Sequence, residues 1–212
     1  MYDFSDAPEI EVEEAYIVTN VDAEQEIVCV VNSSPAADVS WKINDTPLDS
    51  DSHGIVLTHK ENRHSLLIIS ASNHSVGRYS CTARNELGEA IGVADISGEA
   101  GPAVILSSHI SDKTYEFNLE WSVESESPID MFEVAVKEEG EAKWDLHEVI
   151  VDTDNNNTSI NDTSEADSIH RGELLLTNLE PSTSYEVTIA SKNSFGMGSR
   201  GDIFTFKTIA IG

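Results

Sequence analysis

The sequence is short of basic residues and cysteines and has no long apolar run. Lysine and arginine together number 12 against 39 aspartates and glutamates, so the formal net charge is −27. A chain this acidic repels nucleic acid and anionic lipid headgroups, and we expect neither as a partner. No segment approaches the roughly 18 apolar residues needed to cross a membrane. The acidic N-terminal stretch MYDFSDAPEIEVEE also lacks the apolar centre of a secretion signal.

Long stretches with helical periodicity are missing as well. Short runs of β-branched and aromatic residues instead alternate with Asn, Asp, Gly and Ser clusters about every 8–12 residues, a pattern typical of β-sandwiches. The 212 residues, 39% of them hydrophobic, are enough for two domains of about 100 residues each, so we predict an all-β fold with two tandem sandwiches. The predicted strands are 26–31, 39–43, 54–59, 65–70, 77–84 and 90–96 in the first half, and 102–107, 115–123, 131–137, 144–151, 172–179, 185–192 and 203–208 in the second.

The only two cysteines, Cys29 and Cys81, lie 52 residues apart, and Trp41 follows the first by twelve residues. In a two-layer sandwich this spacing places one cysteine on the inner face of each sheet, with the indole against the bridge between them. Such a bridge would stabilise the fold by about 4 kcal/mol on chain-entropy grounds. Tyr79 shares the inward face with Cys81 because side chains two apart on a strand point the same way. Its hydroxyl can then bond a backbone group at the preceding corner.

These residues, together with the motif Gly-x-Tyr-x-Cys-x-Ala-x-Asn-x-x-Gly over 77–88, resemble an I-set immunoglobulin domain over residues 8–98. One departure is Ser75, where the family usually has an aspartate that pairs with an arginine near the start of the D strand. The resemblance therefore implies the immunoglobulin fold but not that ion pair.

The second half resembles a fibronectin type III domain over residues 101–209. Such domains need no disulfide, which agrees with the lack of any cysteine after Cys81. The resemblance implies that Tyr185 forms the tyrosine corner, with Leu179 and Trp121 as neighbours in the core. The matching residues are Pro102, Trp121, the motif Leu179-x-Pro181-x-Thr183-x-Tyr185, and Ala190, Asn193 and Gly196.

Paired cysteines predict an oxidising compartment. Six Asn-x-Ser/Thr sequons point the same way, because all of them fall at predicted strand ends or in polar loops, where a glycan can be accommodated. We therefore expect a glycoprotein on the extracellular side of the cell membrane, as an excerpt of a longer protein whose membrane tether lies outside this chain. The sequon asparagines are Asn32, Asn44, Asn73, Asn156, Asn157 and Asn161.

Arg200-Gly201-Asp202 matches the integrin-binding tripeptide of fibronectin-like domains. Asp202, however, directly precedes the last predicted strand, 203–208. An ordinary turn at the start of that strand also explains the tripeptide, and we favour the turn over an integrin site.

Metal binding and enzymatic chemistry find little support. Four aspartates and one glutamate lie in the polar insert 152–171, but their spacing does not match an EF-hand, and we expect a glycosylated surface loop there. His53, His59 and His64 are separated by six and five residues, which does not place all three on one strand face, so exposed strand histidines are the favoured interpretation. No phosphate loop, nucleophile elbow or HExxH motif occurs, and we expect neither an enzyme nor a cofactor.

The order of the two domains resembles the membrane-proximal part of neural cell-adhesion molecules of the fasciclin II or klingon/wrapper type. That resemblance implies an adhesion or recognition protein that offers a protein-binding surface or serves as a spacer. Because two copies at −27 each repel, we expect a heterophilic cell-surface or extracellular protein partner rather than strong homophilic contact. Two alternatives stay open, a segment of a receptor kinase or phosphatase ectodomain and an intracellular muscle scaffold, in which the cysteines would stay reduced.

Overall fold

The computed structural model describes residues 5–50, 52–151 and 168–212. These residues form 17 β-strands and no helix, so among them there is no helix that could cross a bilayer. The chain divides into two compact units, Met1–Gly98 and Glu99–Gly212. Each unit consists of two facing sheets, which confirms the predicted all-β fold.

The first unit pairs a four-stranded sheet, in the order β1-β3-β7-β6, with a five-stranded sheet, in the order β2-β9-β8-β4-β5. All pairs are antiparallel except β2 with β9, which is parallel. The strands are β1 (Asp6–Val12), β2 (Tyr16–Val18), β3 (Gln25–Ser34), β4 (Asp38–Ile43), β5 (Thr46–Leu48), β6 (Ile55–Lys60), β7 (Arg63–Ile68), β8 (Gly77–Asn85) and β9 (Gly88–Ser97).

The core of the first unit follows from strict alternation along its central strands. Successive side chains on a strand point to opposite faces, and on β8 this buries Tyr79, Cys81 and Ala83 while the residues between them face outward. The facing sheet contributes Ile27 and Cys29 from β3, among others. The disulfide, the indole and the first tyrosine corner all lie in this one core.

The second unit has a three-stranded sheet, in the order β10-β11-β14, and a five-stranded sheet in which β13-β12-β15-β16 is extended by β17 pairing with β15. Its core contains the stacked rings of Phe117 and Phe206, whose centroids are 3.7 Å apart. The strands are β10 (Val104–Ile105), β11 (Phe117–Glu124), β12 (Ile129–Glu138), β13 (Asp145–Ile150), β14 (Ile169–Leu176), β15 (Ser184–Asn193), β16 (Gly196–Met197) and β17 (Phe204–Lys207).

Four short or peripheral strands, β1, β2, β5 and β16, were not predicted from the sequence. β1, β2 and β5 are edge strands, and β1 and β5 each contain a proline, which sheets tolerate at an edge or a bulge. Conversely, the strand predicted at 102–107 shrinks to β10. One more backbone bond follows it, from the N–H of Leu106 to the Glu120 carbonyl, and at the next residue the hydroxyl of Ser107 bonds to β11 in place of a backbone group. Propensity alone identifies central strands better than edges.

Candidate interaction surfaces

The disulfide joins the two sheets of the first unit. Cys29 on β3 and Cys81 on β8 are bridged with their Cα atoms 6.7 Å apart, and both are buried. Trp41 on β4 is buried in the same core and is the register partner of Cys81. Gly92 on β9 leaves room for the bridge, because a Cβ there would lie 2.9 Å from the Cys81 Sγ. The predicted bridge and indole therefore lie together in the core.

The first tyrosine corner closes through the backbone of Ser75. The Tyr79 hydroxyl donates a hydrogen bond of 2.7 Å to the Ser75 carbonyl, and burial raises the pKa of Tyr79 to about 12. The Ser75 hydroxyl accepts from the N–H of Ser72 at 2.7 Å and donates to the carbonyl of Ser72 at 2.9 Å. Serine thus holds the turn through local hydrogen bonds, at the position where the family usually has aspartate.

In the second unit the tyrosine corner also forms, but here the tyrosine hydroxyl accepts the hydrogen bond. The Tyr185 hydroxyl accepts a 2.8 Å hydrogen bond from the N–H of Glu180. The Tyr185 ring stacks on Phe206 at 5.4 Å between centroids. Leu179 and Trp121, the neighbours expected from the sequence, belong to the same core cluster. The contact between the rings of Tyr185 and Phe206 was not expected.

Trp121 is fully buried at the centre of the second core. Its indole makes an edge contact with Phe132 at 5.2 Å between centroids. Gly172 on the neighbouring strand β14 makes room for it, because a Cβ there would lie 2.5 Å from the indole carbons. Trp121 therefore determines packing and is not available as a contact residue.

The Arg-Gly-Asp tripeptide is largely bonded to its own domain. The Arg200 guanidinium forms an ion pair with Glu133 on β12 and donates a 3.3 Å hydrogen bond to the Thr188 carbonyl. Gly201 donates its N–H to the Ile189 carbonyl at 2.8 Å and accepts from the Thr188 hydroxyl at 2.7 Å. Because Arg200 and Gly201 bond to the backbone and a side chain of β15, the tripeptide is a structural segment that leads into strand β17, as the favoured interpretation expected.

The described sequons lie at the surface of the first unit. Asn32, Asn44 and Asn73 are all exposed. The Asn44 Oδ1 accepts from the N–H of Arg78 at 3.0 Å, and the Asn32 Oδ1 accepts from the side chain of Asn62 at 3.1 Å. Glycosylation stays a prediction at all six positions, and three of them, Asn156, Asn157 and Asn161, lie outside the described residues together with most of the insert 152–171.

Of the three histidines considered as metal ligands, His59 and His64 lie opposite each other in the hairpin of β6 and β7. His59 on β6 and His64 on β7 are register partners whose rings stack with centroids 5.7 Å apart. His64 lies on the same face as the buried Leu66 and is only partly exposed, which differs from the expected exposed histidine, and burial and the neighbouring His59 lower its pKa. His53 is exposed before β6, and nowhere in the described part of the chain do three or more His, Cys, Asp or Glu side chains gather as metal ligands.

The few bases of the first unit collect on one sheet face, the outward face of β4, β8 and β9, which we name the outer face. Residues 1–100 contain 18 acids and only five bases, and three of those bases lie on this face with three acids. In register, Arg84 lies between Asp38 and Glu89, and Arg78 lies opposite Asp95. The charged residues of the outer face are Asp38, Lys42, Arg78, Arg84, Glu89 and Asp95.

Apolar side chains accompany this balanced charge. Ile91 on β9 is 60% exposed beside Thr82, and Val93 lies opposite Ser80 two residues further along. Tyr16 on the adjoining strand β2 is 61% exposed opposite Asp95. The outer face is therefore locally neutral and partly apolar on a unit that is otherwise strongly acidic.

Family comparisons agree with this geometry. The family model for the immunoglobulin I-set domain matches residues 8–97, and the model for the fibronectin type III domain matches residues 104–207. The chain is an I-set immunoglobulin domain followed by a fibronectin type III domain. The disulfide and the outer face belong to the I-set domain, and the Arg-Gly-Asp segment belongs to the fibronectin type III domain.

Relatives of the two-domain chain match it over limited lengths. Brother of CDO from Homo sapiens is 30% identical over 112 residues, which are 52% of this chain and 9% of that protein. Myotilin from Mus musculus is 38% identical over 60 residues, which are 28% of this chain and 12% of that protein. The chain thus spans only a small part of the curated relatives it matches.

Solved structures similar to this chain include the complex of Titin M10 with Obscurin like 1 Ig, 28% identical, covering 43% of this chain and 92% of that chain with a TM-score of 0.40. Another is titin A168169, 18% identical, covering 97% of this chain and 100% of that chain with a TM-score of 0.43.

Sequence reasoning missed the outer face of the I-set domain. Part of its signal is present in the sequence. Side chains alternate along a strand, so if Tyr79 and Cys81 point inward, Arg78 and Arg84 on the same strand must both point outward. The Arg200–Glu133 ion pair of the fibronectin type III domain has no such signal, because its partners lie 67 residues apart.

Proposed function

We propose that this chain is an extracellular cell-adhesion or recognition segment, from the membrane-proximal part of a neuronal cell-surface protein. Its domains act as a protein-binding surface or as a spacer. The observation that carries the proposal is the buried Cys29–Cys81 disulfide between the two sheets of the I-set domain. Such bridges persist in oxidising compartments and are rare in the cytosol.

The outer face of the I-set domain is the binding surface we assign to this function. Charged groups there are balanced in register, so docking on this face does not require like charges to approach. A second copy would still bring another charge of −27 to within a few Debye lengths of about 8 Å. A neutral or basic partner meets no such repulsion, which favours heterophilic contact.

Mass spectrometry of the protein from its natural source tests the compartment. Under non-reducing conditions we expect a Cys29–Cys81 cross-linked peptide, and enzymatic deglycosylation should convert one or more of the six sequon asparagines to aspartate. Free thiols at both cysteines together with unmodified sequons would contradict an extracellular location.

Cell-binding assays with the soluble two-domain chain test the surface. Ile91→Asp should weaken binding to neuronal cells, because it places a charge at an exposed apolar position of the outer face. Ile69→Asp is the matched control, since Ile69 is 53% exposed but follows β7 in the other sheet. Binding that is lost only in the Ile69→Asp variant would assign recognition to the opposite face.

A second candidate is an intracellular muscle scaffold. The 38% identity to Myotilin over 60 residues is the observation that favours it. The mass-spectrometric experiment separates the two candidates, because a cytosolic scaffold keeps Cys29 and Cys81 reduced and leaves its sequons unmodified.

A further inference from the structure

A groove lies in the fibronectin type III domain where the chain runs on from β10 towards β11. Its cavity volume is about 520 Å³. The residues that line it include the apolar Leu106, Ile110 and Phe117 and the acidic Asp112 and Glu120. The groove is distant in sequence from the outer face and belongs to the other domain.

Hydrogen bonds at both ends hold the groove open. The N–H of Leu106 donates to the Glu120 carbonyl at 2.8 Å, whereas the N–H of Ser111 donates to the Lys207 carbonyl at 2.9 Å. Between these two anchors the chain leaves the edge of β11 and crosses to β17, and the groove opens along the vacated edge.

Between these two anchors, the hydroxyl of Ser107 bonds to the backbone of β11. It donates to the Asn118 carbonyl at 3.1 Å and accepts from the N–H of Glu120 at 2.7 Å. Because these backbone groups are already bonded, the groove offers side-chain chemistry rather than an open ladder for strand addition.

The apolar walls of the groove are accessible. Leu106 is 50% exposed and Ile110 is 68% exposed. Leu106 lies beside Glu120, so apolar surface and a carboxylate occur next to each other on the groove wall. This combination suits a ligand that is apolar along its length and cationic at its end.

The carboxylates beside the groove have weak partners of their own: the Asn118 side chain donates to the Glu120 Oε1 at 3.0 Å, and the charge of Lys113 interacts with that of Asp112. Over the described ranges 5–50, 52–151 and 168–212, no ion pair includes Asp112, Glu120 or Glu173. Glu120 on β11 lies directly opposite Glu173 on β14, and like charges at directly opposed positions are destabilising. A cation brought to this place would relieve that repulsion.

We propose that the groove binds a lysine- or arginine-bearing extended segment of a protein partner. Long basic side chains lay their aliphatic stems along apolar surface while the charged head stays near water. The stem fits against Leu106 and Ile110, and the head reaches Glu120 and Asp112 in charge-assisted hydrogen bonds. The net charge of −27 steers basic segments to the chain from a distance.

NMR titration of the isotope-labelled two-domain chain tests the site. The probe is the acetylated, amidated peptide Lys-Val-Lys-Val-Lys-Val, and the control peptide has glutamate in place of lysine. We expect saturable shifts confined to residues 106–112 and 117–120 with the lysine peptide and none with the glutamate peptide. Raising the salt concentration from about 0.05 M to about 0.15 M should weaken the affinity without moving the shifted residues.

Substitutions distinguish binding of the lysine peptide in the groove from its non-specific attraction to an acidic chain. Glu120→Gln should weaken the affinity about 1.4- to fivefold, the range for an exposed ion pair, and Leu106→Ser should weaken it as well. Glu148→Gln is the matched control, because Glu148 is an exposed acid on β13 of the other sheet, and this variant should bind as the parent does.

Four results would overturn the proposal. They are no saturable shift with the lysine peptide, equal shifts with the glutamate peptide, equal weakening by Glu148→Gln, and shifts of residues 106–112 that depend on protein concentration without peptide. The last would assign the groove to a second copy of the chain. None of these results bears on the outer face, so the two proposals fail independently.

Discussion

The Tyr79 hydroxyl donates a hydrogen bond of 2.7 Å to the carbonyl of Ser75, four residues earlier. In the fibronectin type III domain the corresponding bond runs the other way, because the Tyr185 hydroxyl accepts from the N–H of Glu180. Both bonds tie a core strand to the turn that precedes it. The two domains thus close the same corner with opposite hydrogen-bond polarity.

Tyr79 should make the stability of the I-set domain fall at alkaline pH. Its pKa is raised by burial to about 12 in the folded state, against 10.0 when unperturbed. The unfolded state therefore releases this proton first, so the contribution is present below about pH 10 and is lost as the pH rises towards 12. Denaturant unfolding followed between these pH values should show the decline.

Tyr79→Phe is the control for this alkaline effect. The variant should lose on the order of 1 kcal/mol at neutral pH, because the bond to Ser75 is gone. It should also lose most of the decline above pH 10, and the tyrosinate absorbance should lack the component that titrates near pH 12. An unchanged alkaline slope in Tyr79→Phe would place the titrating group elsewhere.

His64 should make the I-set domain less stable in mild acid. Burial, and then the charge of His59, lower the pKa of His64 from 6.5. The unfolded state therefore binds a proton more readily, so stability is highest above about pH 6.5 and falls as the pH drops below it. Thermal unfolding of His64→Gln should show a weaker acid dependence, whereas His53→Gln, at an exposed position, should behave as the parent.

Loss of the disulfide should destabilise the I-set domain alone. Cys81→Ser removes a bridge that closes a loop of 52 residues and leaves Trp41 poorly packed, at a cost of about 2–5 kcal/mol. Denaturant unfolding followed by tryptophan fluorescence measures the loss. The fibronectin type III domain, which contains no cysteine, should unfold as before, and equal stability of Cys81→Ser and the parent would contradict the role of the bridge.

Gly201→Ala should destabilise the fibronectin type III domain by about 1–3 kcal/mol through crowding. A Cβ at this position would lie 2.4 Å from the Ala103 carbonyl oxygen, which belongs to the main chain and cannot turn away. Asp202→Ala is the control within the same tripeptide, because Asp202 is exposed, and its melting temperature should match that of the parent.

An integrin-dependent cell-attachment assay tests whether Arg200-Gly201-Asp202 binds an integrin or only serves the structure of its own domain. We expect the parent, Asp202→Ala and Arg200→Ala to show the same background attachment, because Arg200 is paired with Glu133 and bonded to Thr188. Attachment by the parent that Asp202→Ala abolishes would show an integrin site instead.

Central strands and the disulfide could be predicted because their signals are local or unambiguous. Alternation along β8 identifies Tyr79 and Cys81 as inward-facing, and two cysteines allow only one bridge. Edge strands such as β1 escaped prediction because they bury little: β1 has one buried residue, Pro8, and three acids among its seven residues. The shortening of the strand predicted at 102–107 depends on where Ser107 meets β11, which no local pattern records.

The period-two pattern of the amino-acid order is enough to specify two sandwiches, their inward residues and the bridge, because each strand's two faces are distinguished by its own neighbours along the chain. Which surface groups become neighbours depends instead on register between strands far apart in sequence. Register places Arg84 between Asp38 and Glu89 and sets Glu120 against Glu173, and the path of the chain before β17 brings Arg200 to Glu133. The sequence alone places Arg78 and Arg84 on one face of β8, but the acids beside them, and the groove between the Leu106 and Ser111 hydrogen bonds, come only from the folded arrangement.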